Sequence, residues 1–246
     1  MPVQDRSGTE RLSVIVPLKE SLPAEFDVSR LLGGAAVDEI IFAADCSVPG
    51  HELQRLVRLG ATAMQSDACR GTRLRDAACA SCGDAFVFVH ADTRLQVGGL
   101  GELRRRLAAR ARWGAFRLAF EEDGRRCLSP IAGGANLRSR LFRLPYGDQG
   151  QWCTREAYEA VDGHPPWTFL DDLELSRRLR RLSRPAILRS RAITSARRYR
   201  ERGVLTTLAT NTKILARFAM GVRPDELANE YRRPNSRHRP ESRTPH

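Results

Sequence analysis

Asp92 lies in the run VFVHADTRL (87–95), where Val87, Phe88 and Val89 suit a buried strand and His90, Asp92 and Thr93 do not. A carboxylate at the end of a central strand can hold a divalent cation, and the cation can hold a diphosphate. The same aspartate could equally cap the next turn. His90 lies two residues away, on the same side of an extended chain, and reads as a second ligand or as a packed histidine. A second acidic group, Asp171, Asp172 and Glu174, opens TFLDDLELSRRLRRLS (168–183). Acids favour the positive end of a helix without any catalytic role, but a carboxylate in a cleft can also deprotonate a hydroxyl. Pro165, Pro166 and Trp167 make a stiff, aromatic approach to this helix, suited to a pocket wall or to simple packing.

Two basic segments complete the set. In TSARRYRERG (194–203), Arg197 and Arg198 could clamp phosphate oxygens in bidentate fashion or belong to a solvated turn. In CRGTRLRD (69–76), Arg70 and Gly71 open a helix, and helix N-termini bind anions readily.

The elements that must position these groups follow from patterning. LSVIVPL (12–18), DEIIFAAD (38–45), ATAMQS (61–66) and AFVFVH (85–90) read as strands. Short helical patterns separate them, including HELQRLVRLG (51–60), which ends on glycine, and residues 70–82. Such alternation predicts parallel strands with helices on both faces, and ligands then bind at the strands' carboxyl ends, where Asp45 and Asp92 fall. Further along, 101–112 reads as a basic amphipathic helix, 113–120 as a strand, 126–142 as a helix after a turn at Gly124, and 203–220 and 224–233 as two last helices. Thr168, three residues before Asp171, is the expected N-cap of helix 168–183, and the arginines of its second half match the dipole.

Length and composition suit one folded unit: 246 residues, 41% hydrophobic. The expected division is a flexible N-terminus (1–10), a catalytic domain (11–200), helices packed on it (201–233) and a disordered tail (234–246). No run approaches the roughly 20 apolar residues of a membrane span, and MPVQDRSGTER lacks signal-peptide order, so a cytoplasmic location is the default expectation. The six cysteines fit a reducing compartment. Cys79 and Cys82 form a C-x2-C pair without a second pair at zinc-ribbon spacing. The net charge of +12 comes almost wholly from arginine, with lysine only at 19 and 213. Basic residues interleaved with exposed aromatics are missing, so a nucleic-acid partner is not expected; phosphate-bearing substrates and peripheral contact with an anionic membrane stay open.

Four motifs in order, VFVHADT, YGDQGQWCTREAYEAVDG, FLDDLELSRRLRR and TSARRYRERG, carry a resemblance over about Leu12 to Tyr231. The chain resembles the family 2-like glycosyltransferases of the GT-A fold, and more narrowly the bacterial radical-SAM/selenodomain-associated transferase 2 subgroup. The resemblance implies an α/β fold with a mostly parallel central sheet, helices on both faces and a helical C-terminal segment. It implies an inverting, metal-assisted, hexosyltransferase-like enzyme that uses a nucleotide-diphosphate sugar and an acceptor not named by the sequence. His90-Ala91-Asp92 takes the place of the D-x-D motif, so Asp92 and His90 are the expected ligands of Mn²⁺ or Mg²⁺. Asp172 is the expected general base. Asp45, Arg70, Pro17 and Glu20 are expected at the donor nucleotide. Arg197, Arg198, Asp148, Gln149, Asp171 and Trp167 are expected at the diphosphate or the acceptor.

The chain departs from the family at His90, at the spacing of Asp45, at Arg73 and Arg75 where glutamine and asparagine are usual, and at the shortened Lys19-Glu20 ending. Two rivals remain. A nucleotidyltransferase would carry a glycine- and lysine-rich loop after the first strand, and PLKESLPAEF has no glycine. An inactive RNA- or membrane-surface-binding module could rest helix 203–220 on a bilayer through Leu205, Leu208, Leu215, Phe218 and Met220, or these residues could pack inward.

Overall fold

The computed structural model describes residues 10–23, 26–121 and 128–232. The strands are β1 (Leu12–Leu18), β2 (Glu39–Asp45), β3 (Thr62–Ser66), β4 (Ala85–Phe88), β5 (Thr93–Leu95), β6 (Trp113–Phe120), β7 (Gln151–Thr154) and β8 (Ala186–Thr194). They form one sheet in the order β3-β2-β1-β4-β7-β6-β8-β5. The first four are mutually parallel. β7 then runs antiparallel to both β4 and β6, β6 pairs parallel with β8, and β5 is antiparallel to β8. The sheet is therefore mixed: parallel throughout the half that the strand–helix alternation foretold, and largely antiparallel beyond it.

The helices are α1 (Val28–Leu31), α2 (Gly50–Arg58), α3 (Arg70–Ala80), α4 (Gly99–Ala108), α5 (Ser129–Leu141), α6 (Arg155–Glu159), α7 (Asp171–Leu182), α8 (Arg197–Arg202), α9 (Val204–Ala219) and α10 (Pro224–Arg232). The period-two alternation of β1 and β4 explains why two cores form, one on each face. Leu12, Val14, Val16, Val87 and Val89 pack with Leu100, Leu103 and Leu107. Ile15, Phe86 and Phe88 point to the other face, against Leu74 and Ala77 of α3 and Leu175 and Leu179 of α7. The elements expected from patterning lie within a few residues of those observed. The expected turn at Gly124, residues 1–9 of the expected flexible N-terminus, and the tail fall outside the described residues. Glu10 is described, and its carbonyl accepts from Arg104 Nη1 at 2.8 Å.

Two features differ from expectation and both bear on the site. First, the chain after Asp92 does not simply turn: Thr93–Leu95 forms β5 on the far edge of the sheet. Thr93 Oγ1 meets Thr194 Oγ1 at 3.1 Å, and Ser195 N donates to Asp92 O at 3.2 Å. The HAD loop and the SARRYR segment are thereby tied together across a hundred residues. Second, α7 begins at Asp171 and not at Thr168. Its N-cap is Leu170, held in the left-handed region at φ 59° with no side-chain cap bond. That conformation costs a β-carbon-bearing residue about 1–2 kcal/mol, and it aims Asp171 inward toward α3.

Gly71 sets how close α3 comes to the segment leading into α7. Its N–H donates to Trp167 O at 2.9 Å, and a β-carbon there would run into the Pro165 carbonyl oxygen. Gly71→Ala should therefore lower stability by about 1–3 kcal/mol in denaturant unfolding, because a clash with backbone outweighs alanine's better helix propensity.

Candidate functional site

The centre of the site is built on two helix starts. Arg70, first residue of α3, forms a two-oxygen ion pair with Asp171, first residue of α7, whose side chain is fully buried. Burial pushes the Arg70 guanidinium down, but the charges of Asp171 and Asp172 more than restore it, so Arg70 stays protonated. Its second amino group reaches His90 Nε2 at 3.0 Å. A guanidinium only donates, so Nε2 accepts and the ring proton belongs on Nδ1. Burial, and then the Arg70 charge, pull His90 down to about 4, which leaves the imidazole neutral at pH 7.

Asp172 follows on the same turn. Its Oδ2 accepts from Gly147 N at 2.6 Å. Burial alone would raise its pKa, but the Arg70 charge and the Gly147 N–H outweigh burial and hold it below the ordinary carboxylate value. Asp172 is thus ionised at neutral pH and fixed in orientation. Gly147 has no room for a side chain, since a β-carbon would meet Asp172 Oδ2 and His90 Nε2. Gln151 on β7 braces the turn by donating to Asp172 O at 3.0 Å and to Pro145 O at 3.0 Å.

The loop after α5 brings the rest. Asp148 keeps one buried oxygen, Oδ1, without a partner among the described residues. Burial raises it to about 6; Arg138 and Arg198 pull it down, while Asp172 and Asp92 push it up. Arg138 stacks on the Tyr146 ring at 3.5 Å from the centroid. Arg198 donates to Tyr231 Oη at 2.7 Å, and its charge also acts on His90 and Asp148. Tyr231 packs against Phe169 and Trp167 against Phe218, so α9 and α10 brace the approach to α7.

The structure divides the expected residues. Asp92, His90, Asp148, Asp171, Asp172, Arg70 and Arg198 come together. Arg197 does not: it is exposed and faces Glu201 on its own helix. Gln149 is also no substrate contact, because it is fully buried and its amide is consumed by Ser139, Tyr146, Asn136 and Phe116. It shapes the loop instead. Trp167 serves that packing, and Glu174 pairs with Arg177 and Arg178 along α7. Pro17, Glu20 and Asp45 sit together at the neighbouring ends of β1 and β2, where Ser47 Oγ bonds Lys19 O at 3.0 Å. Asp45 is held below its ordinary value first by Ser47 and then by Arg73, its ion-pair partner. Arg138, Tyr146, Gln151 and Tyr231 were not singled out by sequence; Arg138 meets Tyr146 only because the loop between them folds back, and Gln151 and Tyr231 meet groups on other elements, which leaves no local pattern.

Among the described residues, no group of three His, Cys, Asp or Glu could hold a metal ion alone. Asp92 is exposed, and its carboxylate accepts only a long hydrogen bond from Thr93 Oγ1, at 3.5 Å, among the described residues, so it fits a cation whose other ligands are phosphate and water. His90 does not fit as the second ligand, because Arg70 occupies the Nε2 lone pair and brings a positive charge to it. Cys79 and Cys82 are exposed and unbridged, and Cys69 contacts Thr72.

No protein-family model matches the chain, and no curated protein matches it. Solved structures do. S. aureus TarS 1-349 in complex with UDP aligns with a TM-score of 0.57 at 14% identity, covering 75% of this chain and 60% of that one. The same protein in complex with UDP-GlcNAc aligns at 0.55 and 14%, covering 75% and 58%. Glucosyl-3-phosphoglycerate synthase from Mycobacterium tuberculosis, with Mn²⁺, UDP and glucosyl-3-phosphoglycerate, aligns at 0.50 and 18%, covering 76% and 70%. The chain spans 36% of another TarS chain that it matches. The fold is thus the GT-A arrangement, a mixed α/β sheet flanked by helices.

Arg70→Met should destabilise the protein by about 3–5 kcal/mol, since it strands the Asp171 charge, and adding Asp171→Leu should recover most of the loss in denaturant unfolding. Asp148 has a folded pKa above its unfolded one, so its protonated form favours folding and stability falls as pH rises from about 4 through about 6. Asp148→Asn should therefore raise stability at pH 7 by up to roughly 3 kcal/mol and by almost nothing at pH 4, read from unfolding midpoints.

Proposed function

We propose that the protein is a glycosyltransferase that moves a sugar from a nucleotide-diphosphate donor to an acceptor hydroxyl with inversion. The observation that carries this reading is the meeting, at the carboxyl ends of β1 and β4, of an exposed carboxylate at Asp92 and an ionised, backbone-held carboxylate at Asp172. Arg198, with no carboxylate partner among the described residues, stands beside them. TarS, solved with UDP and UDP-GlcNAc, supports a uridine nucleotide as the first donor to test. The order of HADT, GDQGQ, DDLEL and SARRYR supports the narrower radical-SAM/selenodomain-associated transferase 2 reading.

In this reading the nucleotide lies over the ends of β1 and β2, beside Pro17, Glu20 and Asp45. Asp92 would hold a divalent cation, which would offset charge on the donor's diphosphate. Asp172 takes the acceptor's hydroxyl proton as that oxygen bonds to the anomeric carbon. The bond from the anomeric carbon to the diphosphate oxygen breaks on the opposite face, and its electron pair leaves on the diphosphate. Arg198 offsets the charge that develops there. Asp148 presents its free Oδ1 to the acceptor. Arg70 acts through others: it keeps Asp171 buried, Asp172 ionised and His90 neutral.

Asp172→Asn should reduce turnover by about 10²–10⁴-fold while leaving thermal stabilisation by nucleotide-diphosphate sugars unchanged. Asp92→Ala should abolish the part of that stabilisation that depends on Mn²⁺ or Mg²⁺. A wild-type rate in Asp172→Asn would remove it as the base. Absence of stabilisation by any nucleotide-diphosphate sugar, with or without metal, would overturn the transferase reading.

A further inference from the structure

We propose that the carboxyl-terminal end of α5, with the turn from α7 into β8, is a docking face for an anionic lipid surface. α5 buries Ala132, Asn136 and Ser139 on one side. At its end it leaves Leu137, Leu141 and Phe142 exposed to 57%, 65% and 63%. Leu137 and Leu141 are one turn apart on the same face, and Phe142 follows directly. Beside them is an open cavity of about 410 Å³ lined by Arg140, Leu141, Arg143, Arg184, Pro185 and Ile187. None of its three arginines has a carboxylate partner among the described residues. Three uncompensated guanidinium groups next to large exposed apolar side chains match the two layers of a bilayer interface. Arginine holds lipid phosphate in bidentate fashion, and the leucines and phenylalanine enter the acyl boundary.

Charge decides between this occupant and others. In a two-fold dimer through the same face, each arginine cluster would meet its own copy, which is repulsive. A free phosphate would account for the arginines and leave the apolar side chains exposed for no gain. α9, the helix that the sequence offered for a bilayer, is the poorer candidate. Its exposed Leu205 and Met220 stand at opposite ends, about 22 Å apart by helical rise. Its cations Lys213 and Arg217 are both committed to Glu230.

The face also lies close to the candidate site. Arg143 and Gly147 are four positions apart along the chain, at most about 14 Å, and Gly147 N holds Asp172. Arg180, toward the end of α7, donates to Phe142 O at 3.5 Å. Docking would place the acceptor side of the site at the membrane; that consequence rests on the transferase reading, whereas the docking does not.

The test is co-sedimentation of the full chain with vesicles of phosphatidylcholine alone or mixed with phosphatidylglycerol. The expected result is binding to the mixed vesicles only. Arg140→Glu/Arg143→Glu/Arg184→Glu should weaken partition roughly 100-fold. Leu141→Asp/Phe142→Asp should weaken it at every salt concentration, while Leu205→Asp/Met220→Asp should not. Unchanged unfolding midpoints establish that the variants are folded, and binding needs no sugar donor, so its failure and that of the transferase reading are distinguishable. Binding to phosphatidylglycerol that survives both α5 variants would overturn the proposal. So would loss with the arginine variant alone together with displacement by inorganic diphosphate, which marks a soluble phosphate site. A protein dimer in solution abolished by the same variants would overturn it in favour of a second copy.

Discussion

A partly buried guanidinium facing a fully buried carboxylate is costly to form and more costly to leave half-made, and the Arg70–Asp171 pair places that constraint at the junction of two helices. Because neither partner can be left alone, the starts of α3 and α7 are held at one distance and one angle. The consequences spread through neighbouring groups. Leu170 accepts a left-handed backbone, Asp172 is turned toward Gly147, and His90 is held as a neutral acceptor by the same guanidinium. Helix α7 needs no side-chain cap, since its first two residues are acids that already meet the positive end of the dipole.

Charge is spent unevenly across the rest of the site. At the ends of β1 and β2, Asp45 is satisfied by Ser47 and Arg73. Arg73 stands where a neutral residue is usual in the resembled family, so two departures in sequence turn out to be one structural unit. The loop around Gln149 is closed by its own hydrogen bonds, which makes it a rigid wall. Among the described residues, the exposed carboxylate of Asp92, the unpartnered oxygen of Asp148 and the charge of Arg198 are left with capacity to spare. Unspent hydrogen-bonding and charge capacity at the ends of parallel strands is what a polar, charged substrate requires.

Much of this was legible early because periodicity reports burial directly. The unbroken apolar runs in LSVIVPL and AFVFV predict strands buried on both faces, and those strands lie in the parallel half of the sheet. Asp92 and Asp172 stood out because acids at a strand end and at a helix start are local patterns. The antiparallel half was less legible. β5 has three residues and owes its existence to β8, a hundred residues away. The division of Arg197 from Arg198 was equally hidden, since neighbouring helix positions point in different directions and only the packing of Tyr231 selects one of them.

By itself the sequence determined the alternation of strand and helix, the two candidate carboxylates, the excess of arginine and the order of the motifs, because each depends on residue type and short spacing. Tertiary structure alone decided which of those residues meet. It gave Arg70 to Asp171 and His90, closed Gln149 inside its loop, and left Asp148 with an oxygen that has no partner among the described residues. It also gathered Arg140, Arg143 and Arg184 from two distant segments beside an exposed apolar helix end. Pairing of buried charge is a long-range condition: it is satisfied only when the whole chain has folded, and no local pattern records it.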